Sequence, residues 1–166
     1  MTEIWKPIDG YENYSVSAFG QVRNDTTGKI LKGRKNKGRL GVSLWKNEIK
    51  KQFQIHRLVA LTFIENLEDK PEVDHIDNDP SNNRVENLRW ATHQENNRNT
   101  RIPSNNTSGI KGVSWCNQTQ KWRASIKIDG IQINLGRYNT IEEATIARQT
   151  RANLAFGVFT NACETD

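Results

Sequence analysis

The stretch EVDHIDNDPSNNRVENLRWATHQENN, residues 72–97, sets the reading of the whole chain. Val73-Asp74-His75-Ile76 alternates apolar with polar residues as a short strand does, and the turn formers from Asp77 to Asn83 end it. Asn87-Leu88-Arg89-Trp90 returns as a second strand. Thr92 followed three residues later by Glu95 is a capping box, which satisfies orphan backbone donors and predicts a helix starting near His93. The order is strand, loop, strand, helix. Asp74 and His75 fall on the first strand and Asn96 in the first turns of the helix.

These residue types fit one chemistry. Hydrolysis of a phosphodiester needs an activated water, a Lewis acid at the phosphate oxygens and help for the leaving group, and a hard divalent ion supplies the last two. Asp74 and Asn96 are oxygen donors of the kind magnesium accepts, one or two from protein and the rest from phosphates and water. Consecutive strand residues point to opposite faces, so His75 can stand across the scissile phosphate from the metal and act as general base, its reference pKa lying near neutrality. Asn87 would brace the loop between the strands.

At these residues the chain resembles the HNH endonucleases with the ββα-metal fold, and most closely the intron-encoded phage homing endonucleases. The resemblance implies Asp74 as metal ligand, His75 as general base, Asn87 as the central asparagine and Asn96 as second metal ligand. Asn96 stands where many HNH enzymes carry histidine. That replacement favours one magnesium or manganese ion per chain over zinc, because imidazole suits the softer ions. His93, three residues earlier, is the alternative ligand.

The chain has 166 residues, of which 34% are hydrophobic and 26% charged, with a formal charge of +5. That size and composition suit small modules with modest cores rather than one large one, and the sign is that of a polyanion binder. Cys116 and Cys163 are isolated, which gives neither a disulfide framework nor a zinc site and predicts a reducing cytoplasm; the resemblance to phage enzymes implies that of a bacterial host. The start, MTEIWKPIDG, carries Glu3 and Asp9 and no apolar run, so neither signal peptide nor membrane span is expected. Net positive charge sits in residues 1–50 and 108–166, on either side of a net acidic middle.

Towards the N-terminus, Tyr14 to Gly20 and Gln21 to Arg23 read as a hairpin around Gly20, and Leu40 to Trp45 as a strand. Between them a loop carries Lys29, Lys32, Arg34, Lys35, Lys37 and Arg39 without one acid from Thr26 to Lys46, a pattern suited to phosphate contact. The stretch IWKPIDGYENYSVSAFGQVRN resembles the nuclease-associated modular domain that precedes phage HNH sites. Next, Ile55 to Ile64 forms a short apolar helix expected beneath the nuclease hairpin, opened by His56, which reads as structural or phosphate-contacting.

Residues 98–107 read as a linker whose ten extended residues span about 33 Å, close to one turn of DNA. Beyond it, Lys121 to Lys127 alternates cleanly, Asp129-Gly130 is a tight turn, and Ile131 to Leu135 alternates again. Thr140 with Glu143 is a second capping box before a helix stopped by Gly157, with Ala144, Ala147 and Ala155 available for close packing. The result is a three-stranded sheet backed by one helix, whose outer face offers Arg123, Ser125, Lys127, Gln132 and Asn134. Gly112-Val113, Lys121-Trp122, Leu135-Gly136 and Glu142-Glu143-Ala144 resemble the plant ethylene-response-factor (APETALA-type) DNA-binding domain, which implies major-groove binding by the sheet. Ser114 and Trp115 replace first-strand arginines of the plant domains, and Ser125 and Lys127 replace their second-strand Glu and Arg, so plant base preferences do not carry over.

The expectation is an α+β, modular, monomeric chain: an N-terminal β-rich DNA-binding module over residues 1–52, a ββα-metal nuclease over 53–97, the linker, and a DNA-binding domain over 108–161. It would be a sequence-specific endonuclease for double-stranded DNA that nicks one strand, having one catalytic set per chain. The alternative is a DNA-binding regulator with a degenerate nuclease centre.

Overall fold

The helix that opens at Ile55 lies where the sequence places it, and the first half of the molecule is built around it. The computed structural model describes residues 3–36, 38–99, 102 and 105–157. The chain divides into two units, Met1–Thr92 and His93–Asp166. No helix among the described residues is long and apolar enough to cross a membrane.

In the first unit, β1 (Trp5–Ile8), β2 (Tyr11–Ser17) and β3 (Val22–Asn24) form one antiparallel sheet, and β4 (Arg34–Asn36), β5 (Arg39–Lys46) and β6 (Ile49–Gln54) form another. Helix α1 (Ile55–Phe63) follows, then the hairpin of β7 (Glu72–His75) and β8 (Leu88–Ala91). The β2–β3 hairpin turns at Gly20, whose φ of 81° is a left-handed conformation that costs glycine nothing. The basic segment expected as a loop is a hairpin instead. Arg34 and Lys35 lie on β4 opposite Gly41 and Leu40, and Arg39 opens β5. Lys37, expected to contact phosphate, falls outside the described residues.

One core joins these elements, all but the exposed strand β4. Val16 and Val22 from the first sheet, Val42 and Leu44 from the second, Leu58 and Val59 from α1, and Val73, Leu88 and Trp90 from the last hairpin are buried together. Each such side chain contributes about 1.5–3 kcal/mol by leaving water. Polar bonds tie the parts: the Trp90 indole donates to the Ile64 carbonyl (3.0 Å), and the Trp45 amide donates to the Tyr14 hydroxyl (3.3 Å). The boundary expected at residue 52 therefore falls inside a continuous core.

The second unit opens with α2 (His93–Arg98) and continues with β9 (Val113–Cys116), β10 (Lys121–Ile128), β11 (Ile131–Tyr138) and α3 (Ile141–Phe156). The strands are antiparallel in the order β11–β10–β9. Asp129 and Gly130 make the two-residue turn with φ of 49° and 84°, and Thr140 forms the reciprocal cap with Glu143. Helix α3 buries Ala144, Arg148 and Ala152 along one stripe, whereas Ala147 and Ala155 are only half-buried. The i, i+4, i+8 spacing of the buried three selects the face laid on the sheet.

Candidate active site

Strand β7 and strand β8 place the two leading site residues by register alone. Asp74 pairs across the ladder with Arg89, and His75 with Leu88. Both Asp74 and His75 are buried, at 4% and 8% exposure. A carboxylate taken out of water needs a charged partner. Arg89 is that partner, with Nε and Nη2 each 2.8 Å from Asp74 Oδ2.

The His75 ring is fixed by two further groups. Its Nε2 lies 3.1 Å from Asn83 Oδ1, and the ring of His56 packs against it with centroids 5.0 Å apart. His56 is 2% exposed, and its Nδ1 meets no hydrogen-bond partner among the described residues. Burial, and after it the positive fields of His75, Arg39 and Arg57, pull the His56 pKa down to about 3, so this imidazole is neutral at any ordinary pH.

Asn87 ends a short 3₁₀ turn, Val85–Asn87, one residue before β8 rather than on the strand. Its amide spans the loop: Nδ2 donates to Asp77 Oδ1 (2.9 Å) and to the Asn82 carbonyl (2.8 Å), while Oδ1 accepts from the Asp77 amide (3.1 Å). Asp77 collects further bonds from the Asp79 amide (2.8 Å) and the Asn82 side chain (2.7 Å). Burial pushes the Asp77 carboxyl up, but these bonds outweigh it and hold the pKa below the ordinary carboxylate value. Asn96 and His93 both lie on α2, in the second unit.

The donor chemistry fits a hard cation. Among the described residues no group of three or more His, Cys, Asp and Glu side chains comes together. A hard divalent ion keeps waters and phosphate oxygens and needs only one or two oxygen donors from protein. A buried carboxylate oriented by an arginine is a suitable first ligand.

The remaining expected residues are divided between the two units. Lys32, Arg34, Lys35 and Arg39 are exposed. Lys32 and Arg34 line a groove of about 450 Å³ together with Lys29, Lys50, Trp45 and Gln52, and no acid lines it. On the second sheet Arg123, Lys127, Gln132 and Asn134 are exposed. Ser125 is half-buried beside a bulge and gives its amide to the Gly112 carbonyl, and Asn134 turns back to accept from the Gly136 amide. Lys127 also lines a cavity of about 350 Å³ with Arg98, Lys111 and Arg148.

Sequence reasoning missed Asn83, Arg89 and the contact of His56 with His75. Arg89 was recoverable, because strand register sets it opposite Asp74. Asn83 was hidden among turn formers that differ in role only through the loop's path.

Comparison with known proteins relates this chain to a family. A family model described as HNH endonuclease matches residues 53–98, and one described as the NUMOD4 motif matches residues 3–45. The DNA endonuclease I-HmuI of Bacillus phage SP01 is 44% identical over 119 residues, 70% of this chain and 66% of that one. An HNH endonuclease of Acanthamoeba polyphaga mimivirus, L247, is 49% identical over 100 residues, 57% of this chain; the chain spans 25% of its length. A second mimivirus HNH endonuclease, L245, is 42% identical and is covered over 29% of its length. The structure of the HNH homing endonuclease I-HmuI, solved for DNA binding and cleavage, superposes with a TM-score of 0.55 at 36% identity, covering 86% of this chain and 82% of that one.

Proposed function

The chain belongs to the HNH endonucleases of the homing type, and from that we propose that it is a sequence-specific endonuclease for double-stranded DNA. It hydrolyses phosphodiester bonds with one magnesium or manganese ion and, as a monomer with one catalytic set, nicks one strand. The observation that carries this reading is the β7–β8 hairpin, which holds a buried imidazole next in sequence to a buried carboxylate, each with its own fixed partner.

His75 takes a proton from the attacking water through its ring. Asp74 and Asn96 would hold the ion, with His93 as the alternative to Asn96, and Arg89 keeps Asp74 aimed. When bound, such an ion polarises the phosphate and steadies the leaving oxygen. Asn87 braces the loop that carries the strands apart.

Lys32, Arg34, Lys35, Lys37 and Arg39 contact DNA phosphates from the first unit. Support comes from the groove that Lys32 and Arg34 share with Lys29, Lys50 and Trp45, positive and free of acids. Arg123, Ser125, Lys127, Gln132 and Asn134 serve the second unit, read as a domain of the ethylene-response-factor type; three strands backed by one capped helix support that reading. Because Asn134 caps its own bulge and Ser125 is half-buried, Arg123, Lys127 and Gln132 are the stronger contacts.

The test is incubation of purified protein with its own genomic DNA and magnesium, followed by mapping of ends on each strand. A single mapped nick is the expected result. A footprint without cleavage would make it a DNA-binding regulator with a degenerate nuclease centre.

A further inference from the structure

An imidazole acts as a base only through the ring nitrogen that carries no proton, so the partner of the other nitrogen decides which atom does the work. For His75 the structure supplies that partner. Asn83 Oδ1 lies 3.1 Å from Nε2, and an amide oxygen has no proton to give, so Nε2 is the donor. The amide's orientation agrees, since Asn83 Nδ2 faces the Ser81 carbonyl at 3.4 Å. At 4% exposure Asn83 is shielded from water that would compete for the bond.

We infer that Asn83 is a positioning residue for the reaction, fixing His75 as the Nε2–H tautomer with Nδ1 as the base nitrogen, and that the β2–β3 turn seats Asn83. The inference rests on His75 being the general base. Its second half stands on three contacts in register. A Cβ on Gly20 would fall 2.7 Å from Asn83 Cβ and 2.8 Å from the Asn83 carbonyl oxygen, so the turn's backbone lies directly on this residue. The Arg84 guanidinium sits 4.1 Å from the centre of the Phe19 ring. The Val85 amide donates to the Ala18 carbonyl at 2.8 Å.

Residues 83, 84 and 85 thus each meet one of residues 20, 19 and 18. From another side the His56 ring packs on His75. The N-terminal module, matched as the NUMOD4 motif, therefore does more than hold DNA. It completes the setting of the base.

The experiment uses the full chain with Asn83→Leu, similar in size but unable to bond, and Asn83→Asp, which keeps the acceptor. Side-chain ¹⁵N NMR is recorded well above the reference histidine pKa, with His75 assigned by substitution. Wild type and Asn83→Asp are expected to show Nε2 protonated and Nδ1 bare, and Asn83→Leu averaged shifts at both nitrogens. Under cleavage conditions Asn83→Leu is expected to lower kcat roughly 10–100-fold at an almost unchanged KM, and Asn83→Asp to recover most of that loss.

An unchanged tautomer in folded Asn83→Leu, or an Asn83→Asp protein as impaired as Asn83→Leu, would overturn the positioning role. Should wild type cut no DNA, the nuclease reading fails, while the tautomer result stands or falls by itself. Gly20→Ala, or Phe19→Ala if the former does not fold, is expected to disturb the His75 tautomer in the same sense. A folded variant with wild-type tautomer and kcat would remove the turn from the argument.

Discussion

Asp74 shows why a site residue must be tested with the right substitution. Asp74→Ala removes the proposed ligand and also takes away the carboxylate that the Arg89 guanidinium, at 17% side-chain exposure, holds. A loss of about 1–3 kcal/mol in urea unfolding is expected alongside the loss of cutting. Asp74→Asn keeps an acceptor for Arg89 and is expected to lose cutting with less loss of stability. His75→Ala is expected to lower the cutting rate roughly 10²–10⁴-fold while DNA affinity stays within several-fold, because His75 neutralises no phosphate; cutting at the wild-type rate would refute it as the base. His56 carries a pH signature. Its folded pKa is about 3 against 6.5 in the unfolded chain, so between these values the unfolded chain binds a proton that the folded one refuses. Stability is therefore full above pH ~6.5 and falls as the pH drops, by on the order of 4 kcal/mol at the acid end. His56→Gln is expected to flatten this dependence, measured by urea unfolding at about pH 7 and about pH 4. At this scale the strand that carries Asp74 and His75 was legible from its alternation and from the turn formers that end it. The sequence was silent where a role depends on the fold bringing two polar residues together, as His75 with Asn83 and His56.

Secondary structure was legible in proportion to its one-sidedness. Strand β10 alternates because one face is buried against α3, and both capping boxes precede helices that begin where expected. Strand β6 escaped notice for the opposite reason. Its residues, IKKQFQ, are exposed except for half-buried Phe53, so no period-two pattern marks it. The turn before it is Asn47-Glu48, with φ of 50° and 65°, and lacks the glycine that announces such hairpins. Strand β4 is wholly exposed and is specified only by pairing with β5. The β2–β3 turn, in contrast, is fixed by a residue the sequence did single out. Gly20→Ala forces a left-handed φ on alanine and drives its methyl into the Asn83 backbone. It is expected to cost about 1–3 kcal/mol, read as a lowered midpoint in urea. Leu44→Ala, at 0% exposure in the shared core, is expected to cost about 2–5 kcal/mol without altering the site's hydrogen bonds.

At the scale of the whole molecule, the two family matches end and begin at residues 45 and 53, yet one hydrophobic core crosses that interval and the packing boundary comes at Thr92. Sequence modules and folding units are therefore different divisions of this chain. The difference alters what a truncation should do. Removing residues 108–166 takes away the second sheet, α3 and seven basic residues, but leaves the first unit with its own core. It also leaves α2, which has six residues, none of them buried, and whose last carbonyl, that of Arg98, accepts a bond from Lys111 Nζ at 2.8 Å. So short a helix does not hold in isolation. DNA affinity is expected to fall, and if some three phosphate contacts leave with the second unit, the slope of log affinity against log salt should shrink by about 3. The footprint should shorten on one side. Cutting by the truncated protein should need more magnesium than the full chain needs, because α2, which carries Asn96, loses the Lys111 bond at its last carbonyl while Asp74 keeps its place beside Arg89. A titration of cutting rate against magnesium at saturating DNA checks this. An unshifted magnesium midpoint would show that Asn96 is no ligand or that α2 holds without the second unit, and hydrogen exchange of the amides of residues 93–98 in the truncated protein tells these apart.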